Sequence, residues 1–196
     1  MSEQPSLLDW QPVPKARRDG PATQKRVPRI DGNVAYVPLT KGYTAVVDVD
    51  DLHIVGEWQW CASVRRDRKG KIMCVYAERR ATFADGTTQV LRLHRAILNP
   101  GKGFVVDHID SDGLNNKRSN LRAATRAQNT MNRRAQTTNT SGIKGVFFES
   151  RSKKWVAKIK LNGKTHWLGC FERKEKAAEV YALAAERLHK EFRRLS

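Results

Sequence analysis

The sequence predicts an α+β fold. A β-rich amino-terminal segment leads into a strand–loop–strand–helix core, and a separate three-stranded antiparallel sheet with one helix follows. Short apolar runs alternate with turn residues from Asn33 to Asn99, which is typical of β-strands. Thr125 stands three residues before Gln128, a capping box that starts a helix. Asn162-Gly163 separates two further strand-like runs, which is a strong hairpin signal.

The charge of the chain indicates its class of partner. The 196 residues carry a formal net charge of +17, and such a field concentrates polyanions, above all nucleic acid. The excess is uneven, because residues 141–196 hold 14 Lys/Arg against 6 Asp/Glu, and residues 117–134 hold six basic residues and no acid. The alternative is that these surface charges serve only to keep the protein soluble, but acidic residues serve solubility better than basic ones.

The cysteines and the hydropathy exclude other classes of protein. Cys61, Cys74 and Cys170 lie far apart without a CxxC pair, so neither a zinc knuckle nor a disulfide framework is expected. The sequence contains no stretch of 18 apolar residues and no signal-peptide pattern. A soluble cytoplasmic protein with no membrane partner is therefore expected.

The amino-terminal elements follow from turn residues and apolar runs. Residues 1–32, with five of the seven prolines and six Lys/Arg, are expected to be a disordered basic leader, either a solvated tail or an arm that contacts phosphates. Trp58, Trp60 and Tyr76 are expected in the core. The predicted strands are Val34–Leu39, Tyr43–Val47, Trp60–Val64, Ile72–Glu78 and Gln89–Leu93, with a short helix within Asp48–Trp58.

Residues 94–134 carry the groups that phosphodiester cleavage needs. Phe104–Val106 is a short strand that delivers Asp107 and His108 to a loop, Leu121–Ala124 is a second strand, and a helix from Thr125 carries Asn129. A neutral histidine activates water near pH 7, and carboxylate and amide oxygens suit Mg²⁺. Adjacent strand residues point to opposite sides, so the strand end must twist or bulge if Asp107 and His108 serve one site.

This run resembles the ββα-metal HNH endonucleases, especially the phage and homing type. The matching residues are Asp107-His108, Asn115-Asn116, Asn120-Leu121-Arg122 and Asn129. The resemblance implies an HNH core of strand, loop, strand and helix with His108 as general base. It implies Asp107 and Asn129 as ligands of one Mg²⁺ or Mn²⁺ rather than zinc, and Asn120 as the asparagine that ties the loop and orients the histidine.

Several further residues are predicted to have supporting or DNA-contacting roles. His94 matches a histidine upstream in the phage-type members, and a structural part is favoured over a phosphate contact; Asn116 is also supporting. The backbone-contact candidates, each equally interpretable as a solvated surface charge, are Arg122, Arg126, Arg133 and Arg134.

A second domain is expected after a linker at 137–142. Three strands at Gly145–Glu149, Trp155–Leu161 and Lys164–Phe171 precede a helix from Glu172 to Leu195, whose inner side holds Ala177, Tyr181, Ala184, Leu188 and Leu195. The Asn-Gly turn sets Lys160 opposite Thr165 and Lys158 opposite Trp167. One face is then cationic and the other, with Trp155, Ala157, Ile159 and Leu168, packs on the helix.

This segment resembles the ethylene-response-factor (APETALA) type of DNA-binding domain. The matching pieces are Lys144-Gly145-Val146, Trp155–Ile159, Trp167-Leu168-Gly169 and Ala177-Ala178. Phe147, Glu149 and Thr165 stand where that family often has arginine, so its target sequence does not carry over. The DNA contacts that the resemblance implies are Lys144, Arg151, Lys158, Lys160, Thr165 and Trp167.

Together these features predict a metal-dependent endonuclease of homing or phage origin, docked on double-stranded DNA by its carboxy-terminal domain. It would act as a monomer or weak dimer in the cytoplasm of a bacterial or phage-infected cell. The alternative is a DNA-binding transcription regulator whose nuclease fold is inactive.

Overall fold

A computed structural model describes residues 26–56, 58–82, 86–132 and 139–192. The chain divides into two compact units, one comprising the residues up to Lys102 with Asp112–Ala123, the other Gly103–Ser111 with the residues from Ala124 onward. Among the described residues, the first unit contains two three-stranded antiparallel sheets and the second contains one, and each unit has short or medium helices. The predicted α+β class is confirmed.

The first sheet of the first unit is a three-stranded meander. Alternation along two strands buries Ala35, Val37, Ala45 and Val47 on one face. The expected leader reaches residue 32, yet its last residues already pair in this sheet; residues 1–25 lie outside the described residues. The strands are β1 (Arg29–Asp31), β2 (Val34–Pro38) and β3 (Thr44–Asp48), in the order β1-β2-β3.

The helix expected within Asp48–Trp58 is shorter than predicted. A 3₁₀ turn at Val49–Asp51 leads into α1 (Leu52–Val55), and the indole Nε1–H of Trp60 donates to the carbonyl of Val55 at 3.2 Å. Because that contact satisfies a carbonyl at the end of the helix, it stabilises the early ending of α1.

The second sheet of the first unit contains a long central strand. β5 runs four residues beyond its predicted end, and the buried Arg79 on it stacks on Trp58, 3.9 Å from the ring centroid. Burial lowers the pKa of Arg79 to about 10. The strands are β4 (Cys61–Arg66), β5 (Ile72–Thr82) and β6 (Thr88–Arg92), in the order β4-β5-β6.

A helix that the sequence analysis did not predict follows β6. α2 (Leu93–Leu98) buries Leu93, His94 and Ile97, and Asn99 ends it in the left-handed conformation, with φ of 42°. Arg92 at its start makes no capping side-chain bond, so the usual start signal is absent from the sequence. The predicted strand Gln89–Leu93 therefore ends one residue early.

The predicted order of strand, loop, strand and helix is confirmed along the chain. β7 (Val105–His108) and β8 (Leu121–Ala124) enclose the loop, and α3 (Arg126–Met131) follows. Thr125 Oγ1 accepts the backbone N–H of Gln128, and the Gln128 side chain accepts that of Thr125. This reciprocal pair is the predicted capping box.

The carboxy-terminal part of the second unit is a three-stranded sheet with one helix. Asn162 and Gly163, with φ of 48° and 82°, form the predicted turn. The core contains Val146, Ala157, Ile159, Ala177, Tyr181 and Ala185. The elements are β9 (Val146–Glu149), β10 (Lys154–Leu161), β11 (Lys164–Phe171) and α4 (Lys174–His189), with sheet order β11-β10-β9.

The inner side of α4 differs in part from its prediction. Ala177 and Tyr181 are buried as expected, but the side continues through Ala185 and His189, and Leu188 is 39% exposed. A repeat of four residues fits this contact better than the predicted mixture of three and four. The helix ends at His189, and Leu195 lies outside the described residues.

None of the helices in the described ranges has the length and apolar content that a bilayer crossing requires.

Candidate active site

The second unit places Asp107 and His108 at the end of one strand. β7 continues through His108, whereas the prediction ended the strand at Val106 and put both residues in the following loop. Both side chains are buried, with Asp107 4% and His108 6% exposed. The structure therefore holds both groups in strand backbone, and a turn begins at His108, whose carbonyl accepts the backbone N–H of Ser111 at 2.9 Å.

A buried asparagine just beyond α3 contacts this strand end. The Asn132 amide nitrogen Nδ2 lies 3.0 Å from Oδ1 and 3.2 Å from Oδ2 of Asp107. The same nitrogen donates to the backbone carbonyl of His108 at 2.8 Å. Asn132 is 4% exposed, so its amide bonds to these protein acceptors instead of to water. The contacts connect the end of α3 to the end of β7.

Asn132 is not among the predicted site residues. It stands three residues after Asn129, and residues three apart on a helix lie on the same side. A second amide three residues after the expected metal ligand is the signal that could have identified it.

α3 carries the other predicted ligand in this unit. Asn129 is half-buried, and its backbone N–H donates to the carbonyl of Thr125 at 3.0 Å, inside the first turn. α3 packs against β7. Three predicted residues, Asp107, His108 and Asn129, thus lie on two packed elements of one unit.

The first unit holds the asparagines of the loop. Val46 on β3 donates to the carbonyl of Leu114 at 2.8 Å, and the N–H of Asn116 donates to the carbonyl of Val46 at 2.7 Å. Asn116 is fully buried, and the Asn120 amide donates to the carbonyl of Asn115 at 2.8 Å. The loop is thus bonded both to the amino-terminal sheet and to itself.

His94 and Gly113 approach the same aromatic ring in this unit. The His94 ring meets Tyr76 edge-on at 5.5 Å between centroids, and His94 is 5% exposed. A Cβ on Gly113 would lie 2.3 Å from the Val75 carbonyl oxygen and 2.6 Å from the Tyr76 ring. Only glycine therefore fits this loop against β5, and the buried contact favours the structural part predicted for His94.

The predicted carboxy-terminal face is present in the register expected for it. Lys158 lies opposite Trp167, and Lys160 opposite Thr165. The other face packs as predicted, with Ala157 and Ile159 in the core and Trp155 and Leu168 against it. The bulge between Ala157 and Lys158 was not predicted.

The cationic face is exposed apart from one half-buried lysine. Trp167 is 53% exposed, and the Lys158 ammonium lies 5.0 Å from its ring centroid and 4.9 Å from that of Phe147. Arg151, Lys160 and Thr165 are exposed.

The remaining predicted DNA contacts fall in different surroundings. The Lys144 ammonium donates to the carbonyl of Met131 at the end of α3, which gives this side chain a structural contact. Arg126 is exposed and Arg122 half-buried. Arg133 and Arg134 lie outside the described residues.

The metal ligands predicted in the second unit are oxygen donors. No group of three His, Cys, Asp or Glu side chains that could hold a metal ion occurs in the ranges that the structure describes. A buried carboxylate on β7 and an amide on the packed helix α3 are nevertheless the kinds of group that hold a hard cation, which keeps several waters. An ionised carboxylate has about four acceptor directions, so the Asn132 contacts are compatible with a cation at Asp107.

Comparison with known proteins identifies the family. A family model described as HNH endonuclease matches residues 99–131. An uncharacterized HNH endonuclease of Acanthamoeba polyphaga mimivirus is 32% identical over 155 residues, covering 78% of this chain and 74% of that protein. The chain belongs to the HNH endonuclease family. This HNH endonuclease is also 34% identical over 93 residues to Protein 3.8 of Escherichia phage T7, covering 47% of the chain and 76% of that protein.

The predicted enzyme class is thereby confirmed. The residues matched by the family model include Asp107, His108, Asn120 and Asn129 of the HNH endonuclease. No solved structure matches the chain significantly.

Proposed function

We propose that this HNH endonuclease hydrolyses phosphodiester bonds of double-stranded DNA, with His108 as general base and with Asp107 and Asn129 as ligands of one Mg²⁺ or Mn²⁺. The observation that carries the proposal is the Asn132 amide, which contacts the carboxylate of Asp107 and the carbonyl of His108. That contact holds the Asp107 carboxylate and the His108 backbone in place, as a preorganised site requires.

His108 supplies the proton transfer. Its neutral imidazole takes a proton from a water molecule while the water oxygen forms a bond to phosphorus and the bond from phosphorus to the leaving oxygen breaks. A divalent cation, when bound, stabilises negative charge on the phosphate and the leaving oxygen. Asp107 would hold that cation through its carboxylate and Asn129 through its amide oxygen.

The loop asparagines have a positioning part in this proposal. The Asn120 side-chain amide donates to the carbonyl of Asn115, and the Asn116 side-chain amide donates to the carbonyl of Leu114 at 3.0 Å, so loss of either side chain would loosen the loop. In the family pattern Asn120 also orients the histidine, and we keep that part for it here. His94 supports the fold beneath the loop through its contact with Tyr76.

We further propose that the carboxy-terminal sheet docks the enzyme on double-stranded DNA. The charges of Lys158 and Lys160 and the exposure of Lys160, Thr165 and Trp167 support this, as does the resemblance to ethylene-response-factor modules. Cations attract phosphates, and an exposed indole offers apolar area to the groove. A homing or phage origin agrees with the viral sources of both relatives.

Cleavage of supercoiled plasmid with Mg²⁺ tests the proposal. His108→Ala should lower the rate about 10²–10⁴-fold, the share that general-base catalysis supplies. His53→Ala is the matched control, because His53 is exposed and its Nδ1 meets the carbonyl of Asp50 at 2.7 Å.

Removal of the divalent cation by a chelator should stop cleavage. Equal rates for His108→Ala and the unmodified chain would refute the assignment of the base. Binding without cleavage of any bound DNA would favour the regulator instead.

A further inference from the structure

We propose that the hairpin between β4 and β5 is a second DNA-binding surface, which contacts the phosphate backbone of duplex DNA independently of the carboxy-terminal sheet. It is called the basic hairpin here and comprises residues 65–71. The inference rests on the proposed function in one respect, namely that the substrate is DNA.

Charge in the first unit is concentrated on the sheet that bears the basic hairpin. Residues 61–82 contain seven Lys/Arg against two Asp/Glu, whereas residues 33–60 contain one Lys/Arg against four Asp/Glu. A coat for solubility would be spread over both segments. The separation of charge instead makes a local positive field on the second sheet, which is how polyanion sites are built.

The one acid of the basic hairpin is occupied by the turn itself. Asp67 Oδ1 accepts the backbone N–H groups of Lys69 and Lys71, each at 2.9 Å. Arg66 is also partly engaged, because its Nη1 donates to the Gly70 carbonyl at 2.8 Å. The Asp67 carboxylate thus stabilises the turn, and its negative charge faces backbone N–H groups of the turn.

Four cations of the basic hairpin project from it. Arg65, Arg68, Lys69 and Lys71 are all exposed, and no ion pair joins them to an acid within the described ranges. Four like charges within seven residues repel one another. A row of phosphates would relieve that repulsion.

The sheet beside the basic hairpin extends the cationic surface. Register places Arg65 opposite Cys74, Arg80 opposite Val90, and Arg92 opposite Glu78. These pairs share one face, on which Arg65 and Arg80 are exposed and Arg92 is half-buried. The loop at Gly113 covers Tyr76 in the middle of the face. The Arg92 guanidinium lies 5.9 Å from the Tyr76 ring centroid, which holds that cation in place on the face.

Exposed apolar side chains adjoin the cations. Ile72 is 42%, Met73 54% and Val90 57% exposed, and Val90 lies on the face of Arg80. Methyl groups beside cations suit a DNA groove, where sugars and thymine methyls lie between phosphate rows. A two-stranded β-ribbon is also narrow enough to enter the major groove. Membership of a nuclease family favours DNA over an anionic membrane as the partner.

The test compares two sets of four charge removals in the full chain carrying His108→Ala, which suppresses cleavage. The first set replaces Arg65, Arg68, Lys69 and Lys71 with Gln. The control set replaces Arg173, Lys174, Lys176 and Arg187, on and just before α4, and lowers the net charge equally. Binding of a 30-bp duplex is followed by fluorescence anisotropy as salt rises from about 50 to 200 mM.

The hairpin set should make binding less sensitive to salt, while the control set should not. Each lost phosphate contact lowers the magnitude of the slope of log affinity against log salt by about 0.9. Without four contacts, the fall in DNA affinity between 50 and 200 mM salt should therefore be about 100-fold smaller than in the parent. Arg68→Gln and Lys69→Gln alone should each lower the slope by about one, which guards against misfolding of the fourfold variant.

Three results would overturn the inference, in distinguishable ways. Equal slopes for the hairpin set and the parent would remove the surface but leave the proposed function intact. Equal losses in both sets would trace the effect to net charge alone. Failure of the parent to bind DNA, with tight binding to vesicles of anionic lipid that the hairpin set abolishes, would refute the proposed function and make the partner a membrane.

Discussion

The Arg118 guanidinium and the Asp51 carboxylate form a two-pronged ion pair inside the first unit. Nη2 of Arg118 lies 2.7 Å from Oδ1, and Nε lies 3.1 Å from each carboxylate oxygen. Asp51 is 1% exposed and Arg118 52%, while the Arg118 backbone N–H donates to Asp48 at 2.7 Å. The residues next to Asn120 are thus fastened to the amino-terminal sheet and to the start of α1.

Removal of this pair should destabilise the first unit. Arg118→Gln leaves a buried carboxylate without its charged partner and should lower the free energy of unfolding by about 1–3 kcal/mol. Arg118→Lys should recover only part of the loss, because an ammonium cannot make the forked contact. Urea unfolding followed by tryptophan fluorescence measures both.

The matched control for Arg118 is an exposed pair in the same unit. Arg29 lies 3.8 Å from Asp31, with side chains 70% and 65% exposed, so Arg29→Gln should cost less than about 1 kcal/mol. Similar losses for Arg29→Gln and Arg118→Gln would mean that burial of Asp51 adds nothing.

Local signals made much of this fold predictable. The capping box at Thr125 and the Asn162-Gly163 turn act within a few residues, and both structures formed where expected. The hairpin turn also sets the pairing of Lys158 with Trp167, so the exposed face could be read from the sequence.

Features decided by distant contacts could not be predicted in this way. α2 lacks a capping side chain, and burial of Leu93 and Ile97 stabilises it instead. Arg118 contacts Asp51, which lies 67 residues earlier in the sequence. Sequence periodicity predicts only local structure and gives no information on a contact at that separation. The contacts of Asn132 could not be predicted for the same reason, since its acceptors lie 24 and 25 residues earlier, on β7.

Asn132→Ala should weaken metal binding more than it weakens the fold. Without the amide, the Asp107 carboxylate loses two of the contacts that fix its direction. Loss of a residue that orients a metal ligand typically costs about 10–100-fold in metal affinity. Binding of Mn²⁺ followed by electron paramagnetic resonance measures this without any cleavage step, and the Mg²⁺ concentration for half-maximal cleavage should rise in parallel.

Asn139→Ala provides the control for a lost structural amide in the same unit. Its Nδ2 donates to the Ile143 carbonyl at 2.7 Å, and its Oδ1 accepts from Ser141. This variant should lose stability but keep its Mn²⁺ affinity. If both variants lose stability while Mn²⁺ binds each normally, Asn132 has no part in positioning Asp107.

On the carboxy-terminal face, the contributions of charge and of apolar contact to DNA binding should be distinguishable by their dependence on salt. Lys160→Ala should lower the salt slope of DNA binding by about one, the share of a single phosphate contact. Trp167→Ala should lower affinity at every salt concentration without changing the slope, because an indole releases no counterions. Leu183→Ala, 52% exposed on α4, is the apolar control, and a loss equal to that of Trp167→Ala would contradict a specific docking face.

Stability of the carboxy-terminal module should fall in mild acid because of His189. This histidine is 4% exposed, and its Nε2–H donates to the carbonyl of Lys160 at 3.0 Å. Burial lowers the pKa of its imidazole, and the nearby Lys144 charge acts in the same direction. Within the described residues its Nδ1 is buried without a hydrogen-bond partner, so a proton added there has no acceptor.

The sign of this effect follows from the depressed pKa. The unfolded chain binds a proton near the ordinary value of about 6.5, whereas the folded chain resists it, so stability is complete above about pH 6.5 and declines as the pH falls below it. Hydrogen exchange of the α4 amides at pH 5.5 and 7.5 should show this decline in the unmodified chain and in exposed-site His53→Gln. His189→Gln, which keeps a donor but does not titrate, should flatten it; a decline of unchanged size in His189→Gln would assign the acid sensitivity to the carboxylates of the module.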